Sequence, residues 1–93
     1  MERRRLSPEE LRPALDRLSG WTENGQSIEK SLKFANFAES LAFVNEVGAL
    51  AEEADHHPDI TFGWGYADIK LTTHDRGGVT DVDIALASKI DAL

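Results

Sequence analysis

The sequence predicts an α+β domain, a four-stranded antiparallel sheet with three helices packed on one face, in the order α-β-β-α-β-β-α. Three observations carry this. Residues 27–34 and 60–72 alternate apolar and polar side chains with the period of two that a half-buried strand requires. Asn24-Gly25 and Gly65-Tyr66 are turn signals placed to fold neighbouring strands into hairpins. Residues 6–18, 36–54 and 80–93 carry the three-to-four-residue apolar spacing of helices.

The first helix opens with Ser7 as N-cap, Pro8 at the first helical position and Glu10 closing a capping box. Leu6 and Leu11 are spaced as a hydrophobic staple across that cap, and Leu11, Leu15 and Leu18 form one apolar stripe. Pro13 removes the bond to the carbonyl of Glu9, so a bend or a late start is expected. Ser19-Gly20 stops the helix, and Trp21 follows as a core anchor. In the strand at 27–34, Ile28, Leu32 and Phe34 face inward, while Ser27, Glu29, Ser31 and Lys33 face water.

The long helix at 36–54 has two adjacent stripes. Phe43, Val47, Leu50 and Ala54 make one; Phe37, Leu41, Val44, Gly48 and Ala51 make the other. So wide an arc suits a helix lying on a sheet with surface left for a partner subunit. Glu52, Glu53 and Asp55 oppose the negative end of the helix dipole, a local conflict expected near a functional site.

Pro58 ends the helix and pushes His57 to an extended conformation. The following hairpin is predicted to turn at Gly65-Tyr66, pairing Trp64 with Ala67, Phe62 with Ile69 and Ile60 with Leu71. Trp64 then lies on the core face, in a structural role. Extended backwards, the same register sets His57 opposite His74, with Cβ atoms about 4.5–5.5 Å apart. Thr80 caps the last helix with Asp83 three residues on, Val79 and Ile84 staple it, and Leu86, Ile90 and Leu93 form its buried stripe.

The bulk properties narrow the function. The chain reads as one domain over residues 1–93, of ordinary apolar content at 41%. Its formal charge of −7 repels phosphate backbones, which argues against direct nucleic-acid binding. The basic run Arg3-Arg4-Arg5 reads as a solvated tail. With no cysteine there is no disulfide and no thiol nucleophile. No run is long and apolar enough to span a membrane and no signal peptide is visible, so a cytoplasmic location is expected.

All three histidines fall between Asp55 and His74. A three-histidine zinc site is one reading, but His56 and His57, adjacent on extended chain, point apart. Serine chemistry lacks a nucleophile-elbow context. General acid–base catalysis suits imidazole at neutral pH, and two neighbouring rings divide naturally into one acid and one base. The competing structural reading has these rings capping the helix end and bridging loops.

The pattern Asp55, His56-His57-Pro58, Trp64, His74 and Asp83 resembles the signature of the pterin-4a-carbinolamine dehydratase family: an acidic or amide residue, His-His-Pro, an aromatic, a further His and a carboxylate at fixed spacing. The likeness extends through Gly20-Trp21, Ile28, Phe34, Phe37, Phe43, Ala51-Glu52, Thr73-His74-Asp75 and Gly77-Gly78, nearly the whole chain. It implies dehydration of 4a-hydroxytetrahydropterin to quinonoid dihydropterin, a step in tetrahydrobiopterin recycling that serves aromatic amino-acid hydroxylases such as phenylalanine hydroxylase. No metal or redox cofactor is required.

Carried over by position, His56, His57 and His74 are the catalytic set, with His57 the most damaging loss and His56 and His74 sharing acid and base roles. Asp55, Pro58, Thr73 and Asp83 would surround the substrate. Asp83 either orients a histidine or serves only as helix-cap partner of Thr80. Ile60 stands where animal enzymes carry an aromatic, and Gly63 and Gly65 leave the polar face of the hairpin bare. The resemblance also implies a homodimer or homotetramer. The alternative function is a non-catalytic interaction module, since animal members act as dimerisation cofactors of a homeodomain transcription factor. The helix arc at 37–54 would serve either association.

Overall fold

Capping chemistry sets the first helix. In the computed structural model, which describes residues 4–93, α1 runs Pro8–Asp16. Ser7 Oγ accepts from the Glu10 amide at 3.2 Å while Glu10 Oε1 accepts from the Ser7 amide at 3.0 Å. Pro13 lies inside this helix, whose start it does not delay. Strands β1 (Thr22–Asn24) and β2 (Ser27–Lys33) form a hairpin about Gly25, whose φ of +64° suits a residue without Cβ. Helix α2 (Phe37–Ala54) starts where Asn36 Oδ1 accepts from the Glu39 amide at 2.9 Å. Strands β3 (Asp59–Gly63) and β4 (Tyr66–Leu71), a 3-10 turn at His74–Arg76 and helix α3 (Asp81–Asp91) complete the order. The expected α+β class and α-β-β-α-β-β-α order are both found.

The sheet order is β1-β2-β4-β3, every pair antiparallel. Ile28 pairs with Leu71, and Ile69 and Ala67 continue the inner face of β4. These residues are buried with Val47 and Ala51 of α2 and Leu86, Ala87 and Ile90 of α3. Full burial of each large aliphatic stabilises by about 1.5–3 kcal/mol. Glu29, Asp68 and Lys70 alternate with them toward the open face, as the period of two demands. Among the described residues no helix is long and apolar enough to cross a membrane.

The second hairpin departs from expectation. Gly63 pairs with Tyr66, Phe62 with Ala67 and Ile60 with Ile69, so the loop is Trp64-Gly65 rather than Gly65-Tyr66. The cause is tertiary. Gly65 takes φ +82° at the second loop position, its carbonyl accepting from the Phe34 amide at 2.8 Å and its amide donating to Ser40 Oγ at 3.1 Å. A two-residue slip keeps every strand side chain on its expected face. It nevertheless expels Trp64 to the hairpin tip, where it is 71% exposed rather than in the core, and it removes the predicted pairing of His57 with His74. Gly63 is not bare either: the Tyr66 ring lies across it, so that a Cβ there would meet the ring at 2.8 Å.

Two smaller corrections follow from chain ends. Leu93 lies beyond the end of α3 and is half exposed, outside the buried stripe of Leu86 and Ile90. The basic run is solvated, but where it is described it is tied down rather than a loose tail. The Arg4 guanidinium donates twice to Glu10, at 3.0 and 2.8 Å. Arg5 bridges Thr80, and the Leu6 amide donates to the Val79 carbonyl at 2.9 Å. Arg3 lies outside the described residues.

Candidate active site

The site begins at the end of α2. Asp55 adopts the left-handed conformation (φ 50°, ψ 44°), the only non-glycine residue with positive φ among the described residues. The amide of the next residue, His56, returns to the Ala51 carbonyl at 3.1 Å. This reversal turns His56 inward, where it is 6% exposed. His57 then points the other way and stays exposed, its Nε2 in contact with Glu52 Oε2. Pro58 carries the chain away into β3.

The second wall is the loop after β4. Thr73 and Gly78 form an antiparallel bridge, closing a turn in which His74 begins the 3-10 segment and Gly77 takes φ +71°. His74 is exposed at the mouth. Thr72 Oγ1 donates to the Gln26 carbonyl at 2.5 Å, tying this wall to the first hairpin.

Behind both walls lies Asp83, fully buried in the first turn of α3. Its Oδ2 accepts from the Thr80 amide at 2.9 Å and from Thr73 Oγ1 at 2.8 Å, and its Oδ1 lies 2.5 Å from His56 Nε2. A buried carboxylate is tolerable only when donors surround it, and here there are three. Since an ionised carboxylate only accepts, Nε2 is the nitrogen of His56 that carries the hydrogen. No buried side-chain nitrogen or oxygen among the described residues lacks a partner, and Nδ1 of His56 has none there. Nδ1 is therefore the nitrogen open to solvent.

The walls enclose a cleft of about 310 Å³ lined by Asp55, His56, His57, Thr72, Thr73, His74 and Asp75. All three histidines thus share one cleft, through the helix end and the 3-10 turn rather than through the strand register. A larger open groove, about 730 Å³, runs beside α1 and is lined by residues such as Arg12, Asp16 and Glu23. It contains no imidazole, so the smaller cleft is the one equipped for proton transfer. Of the other residues expected here, Asp55 and Thr73 line the cleft, Pro58 does not, and Asp83 stands behind His56. The cap partnership of Thr80 with Asp83 and the orientation of a histidine by Asp83 occur together.

Two partnerships went unrecognised in the sequence. Glu52 pairs with His57 across the helix end. A carboxylate in the last turn of a helix, where the dipole disfavours it, was the available signal. Thr80 Oγ1 lies 2.9 Å from Thr73 Oγ1, a buried contact for which no sequence pattern exists.

Comparison with known proteins identifies the family. The sequence model of the family described as pterin 4 alpha carbinolamine dehydratase matches residues 4–93. A protein of Sulfurisphaera tokodaii, named "Putative pterin-4-alpha-carbinolamine dehydratase", is 41% identical over 90 residues, covering 97% of each chain. One of Rubrobacter xylanophilus with the same name is 47% identical over 89 residues, covering 95% of this chain and 83% of its own. The crystal structure of a transcriptional coactivator/pterin dehydratase from Brucella melitensis superposes with a TM-score of 0.92 at 35% identity, covering 96% of this chain and 97% of the other. A pterin dehydratase-like protein identified as a RuBisCO assembly factor in the alpha-carboxysome gives 0.69 at 31% identity, over 80% and 88%. With its fold, its full-length match and relatives of this closeness, the chain belongs to the pterin-4-alpha-carbinolamine dehydratase family.

Proposed function

We propose that this chain dehydrates 4a-hydroxytetrahydropterin to quinonoid dihydropterin by histidine acid–base catalysis. The observation that carries the reading is the convergence of His56, His57 and His74 on one cleft, with His56 held by a buried carboxylate. Hydroxide is a poor leaving group, so an imidazolium donates a proton to the 4a oxygen as the carbon–oxygen bond breaks and water departs. A second group takes the proton from the adjacent ring nitrogen, and that electron pair closes the carbon–nitrogen double bond. His56, with its Nε2–H on Asp83, offers Nδ1 as the acceptor; His57 and His74 stand on the donor side. The net change is one proton moved from nitrogen to departing water, with no redox step.

Asp55 and Thr73 line the substrate's space, while Pro58 acts by setting the path of His57. The substrate is a small pterin, supplied by an aromatic amino-acid hydroxylase. The test is turnover of 4a-hydroxytetrahydropterin, generated in situ by such a hydroxylase and followed by ultraviolet absorbance. Wild type should exceed the spontaneous rate, and His57→Ala should lose about 10²–10⁴-fold. No acceleration by a folded wild type would refute the reading.

A second reading has its own observation. Phe37 and Leu41 on α2 and Trp64 at the hairpin tip are large apolar side chains left exposed, and the Phe37 ring stands 5.7 Å from that of Phe62. Such a surface suits a homodimer or homotetramer, or a protein partner of a non-catalytic interaction module. Sedimentation of wild type and Leu41→Glu separates these: self-association should weaken in the variant, whereas a monomeric wild type would leave only the heterologous partner.

A further inference from the structure

Thr73 was expected among residues that touch substrate, and its surroundings argue for another task. It is 1% exposed, although it is one of the residues that line the cleft. Its hydroxyl has one hydrogen, and that hydrogen is directed to Asp83 Oδ2 at 2.8 Å. The 2.9 Å contact with Thr80 Oγ1 must then be donated by Thr80. The direction of every proton in the network follows: Thr80 to Thr73, Thr73 to Asp83, and His56 to Asp83.

The backbone of Thr73 is pinned as well. Its amide donates to the Gly78 carbonyl at 3.0 Å, and its carbonyl accepts from the Arg76 amide at 3.0 Å. The side chain is therefore presented to Asp83 from a fixed base. Which nitrogen of a neutral imidazole carries the hydrogen is decided by the hydrogen bond the ring makes. For His56 that bond is to Asp83, so whatever orients the carboxylate orients the ring.

We infer that Thr73 is a positioning residue, whose buried hydroxyl fixes the Asp83 carboxylate and thereby the ring nitrogen that His56 turns toward the cleft. This rests on the proposed dehydratase reading for its consequence in turnover, but not for its structural part. Removing the hydroxyl takes one of three donors from a buried carboxylate and leaves the Thr80 hydroxyl without its acceptor. The carboxylate is then held by the Thr80 amide and His56 alone, with more freedom to turn, and both nitrogens of His56 compete for it.

The test compares Thr73→Val, which keeps the shape and loses the hydroxyl, with Thr73→Ser, which keeps the hydroxyl. The first measurement is nitrogen-15 NMR of the His56 ring in the full chain. Wild type and Thr73→Ser should show the Nε2–H tautomer alone, and Thr73→Val a mixture. The second is turnover, where Thr73→Val should lower kcat about tenfold or more with KM little changed, and Thr73→Ser should restore it. If Thr73→Val does not fold, Thr73→Cys, a weak donor of similar size, is judged by the same criteria. Retention of one Nε2–H tautomer in the hydroxyl-free variant overturns the inference, as does an equal loss in Thr73→Ser, which would trace the effect to packing. A wild type without turnover refutes the dehydratase reading alone, since the tautomer measurement still decides the role of Thr73.

Discussion

Asp83 Oδ1 stands 2.5 Å from His56 Nε2 although the two residues are 27 positions apart, and Asp83 is shut off from water altogether. The start of one helix thereby braces the residue just beyond the end of another. Asp83→Asn keeps the shape but replaces one acceptor oxygen by a donor, so two N–H groups would face each other in a buried site. The expected cost is about 1–3 kcal/mol in thermal unfolding, together with a fall in kcat. An unchanged melting temperature and unchanged turnover would show that the carboxylate is dispensable.

The Glu52–His57 pair is exposed on both sides, so its weight should be chemical rather than structural. Glu52→Gln is expected to leave stability within about 0.5 kcal/mol while lowering turnover. Chemical denaturation alongside the pterin assay checks both parts. A large stability loss with full activity would contradict this assignment.

The hairpin tip separates two neighbouring substitutions. Gly65 has φ +82°, and a Cβ there would lie 3.1 Å from the Phe34 carbonyl oxygen. Gly65→Ala should therefore cost at least about 1 kcal/mol, whereas Trp64→Ser should be nearly neutral in the monomer. The reverse order in denaturant midpoints would restore the other register, with Trp64 in the core.

Asp91 ties the end of α3 to the first hairpin. Its burial favours the neutral acid, but hydrogen bonds from Lys30 Nζ, the Ser19 amide and Trp21 Nε1 outweigh this and hold the carboxyl below its ordinary 3.8. A depressed carboxylate contributes stability that is complete above the unfolded value and is lost as pH falls through the folded one. Melting temperatures of wild type and Asp91→Asn should differ at neutral pH and converge as the medium is acidified below about 4. Parallel curves down to the most acidic pH would deny Asp91 this role. Glu10, lowered to about 2 chiefly by its hydrogen bonds with Arg4 and Ser7, should keep its charge well below the ordinary glutamate range.

What could be read from the sequence follows from which interactions are local. The Ser7 and Thr80 caps, the end of α2 and the alternation of Ile60 and Phe62 depend on near neighbours, and each was legible. The hairpin register was not, because a slip of two leaves the apolar pattern intact. Phe34 and Ser40, remote in the chain, decide it through Gly65. The three histidines could be grouped from their motif, yet which of His56 and His57 is buried could not be read from it. Burying one against Asp83 and exposing the other depends on the left-handed turn at Asp55. Arg4 and Arg5 are solvent-facing, as read, but their anchoring was not legible because Glu10 and Thr80 become their neighbours only after folding.

The bridge between Arg5 and Thr80 has a consequence for the order of assembly. Arg4 and Asp81, next to it, are 77 positions apart. Contacts of such separation pay the largest loop-closure entropy and are expected to form after hairpins and single helices have gathered. The cover that Arg4 and Arg5 lay over Thr80 and Asp81 would then be among the last parts to consolidate in a folding chain, and among the first to open in the native ensemble. A nascent chain that has not yet released its third helix carries all three histidines but lacks the carboxylate that braces His56.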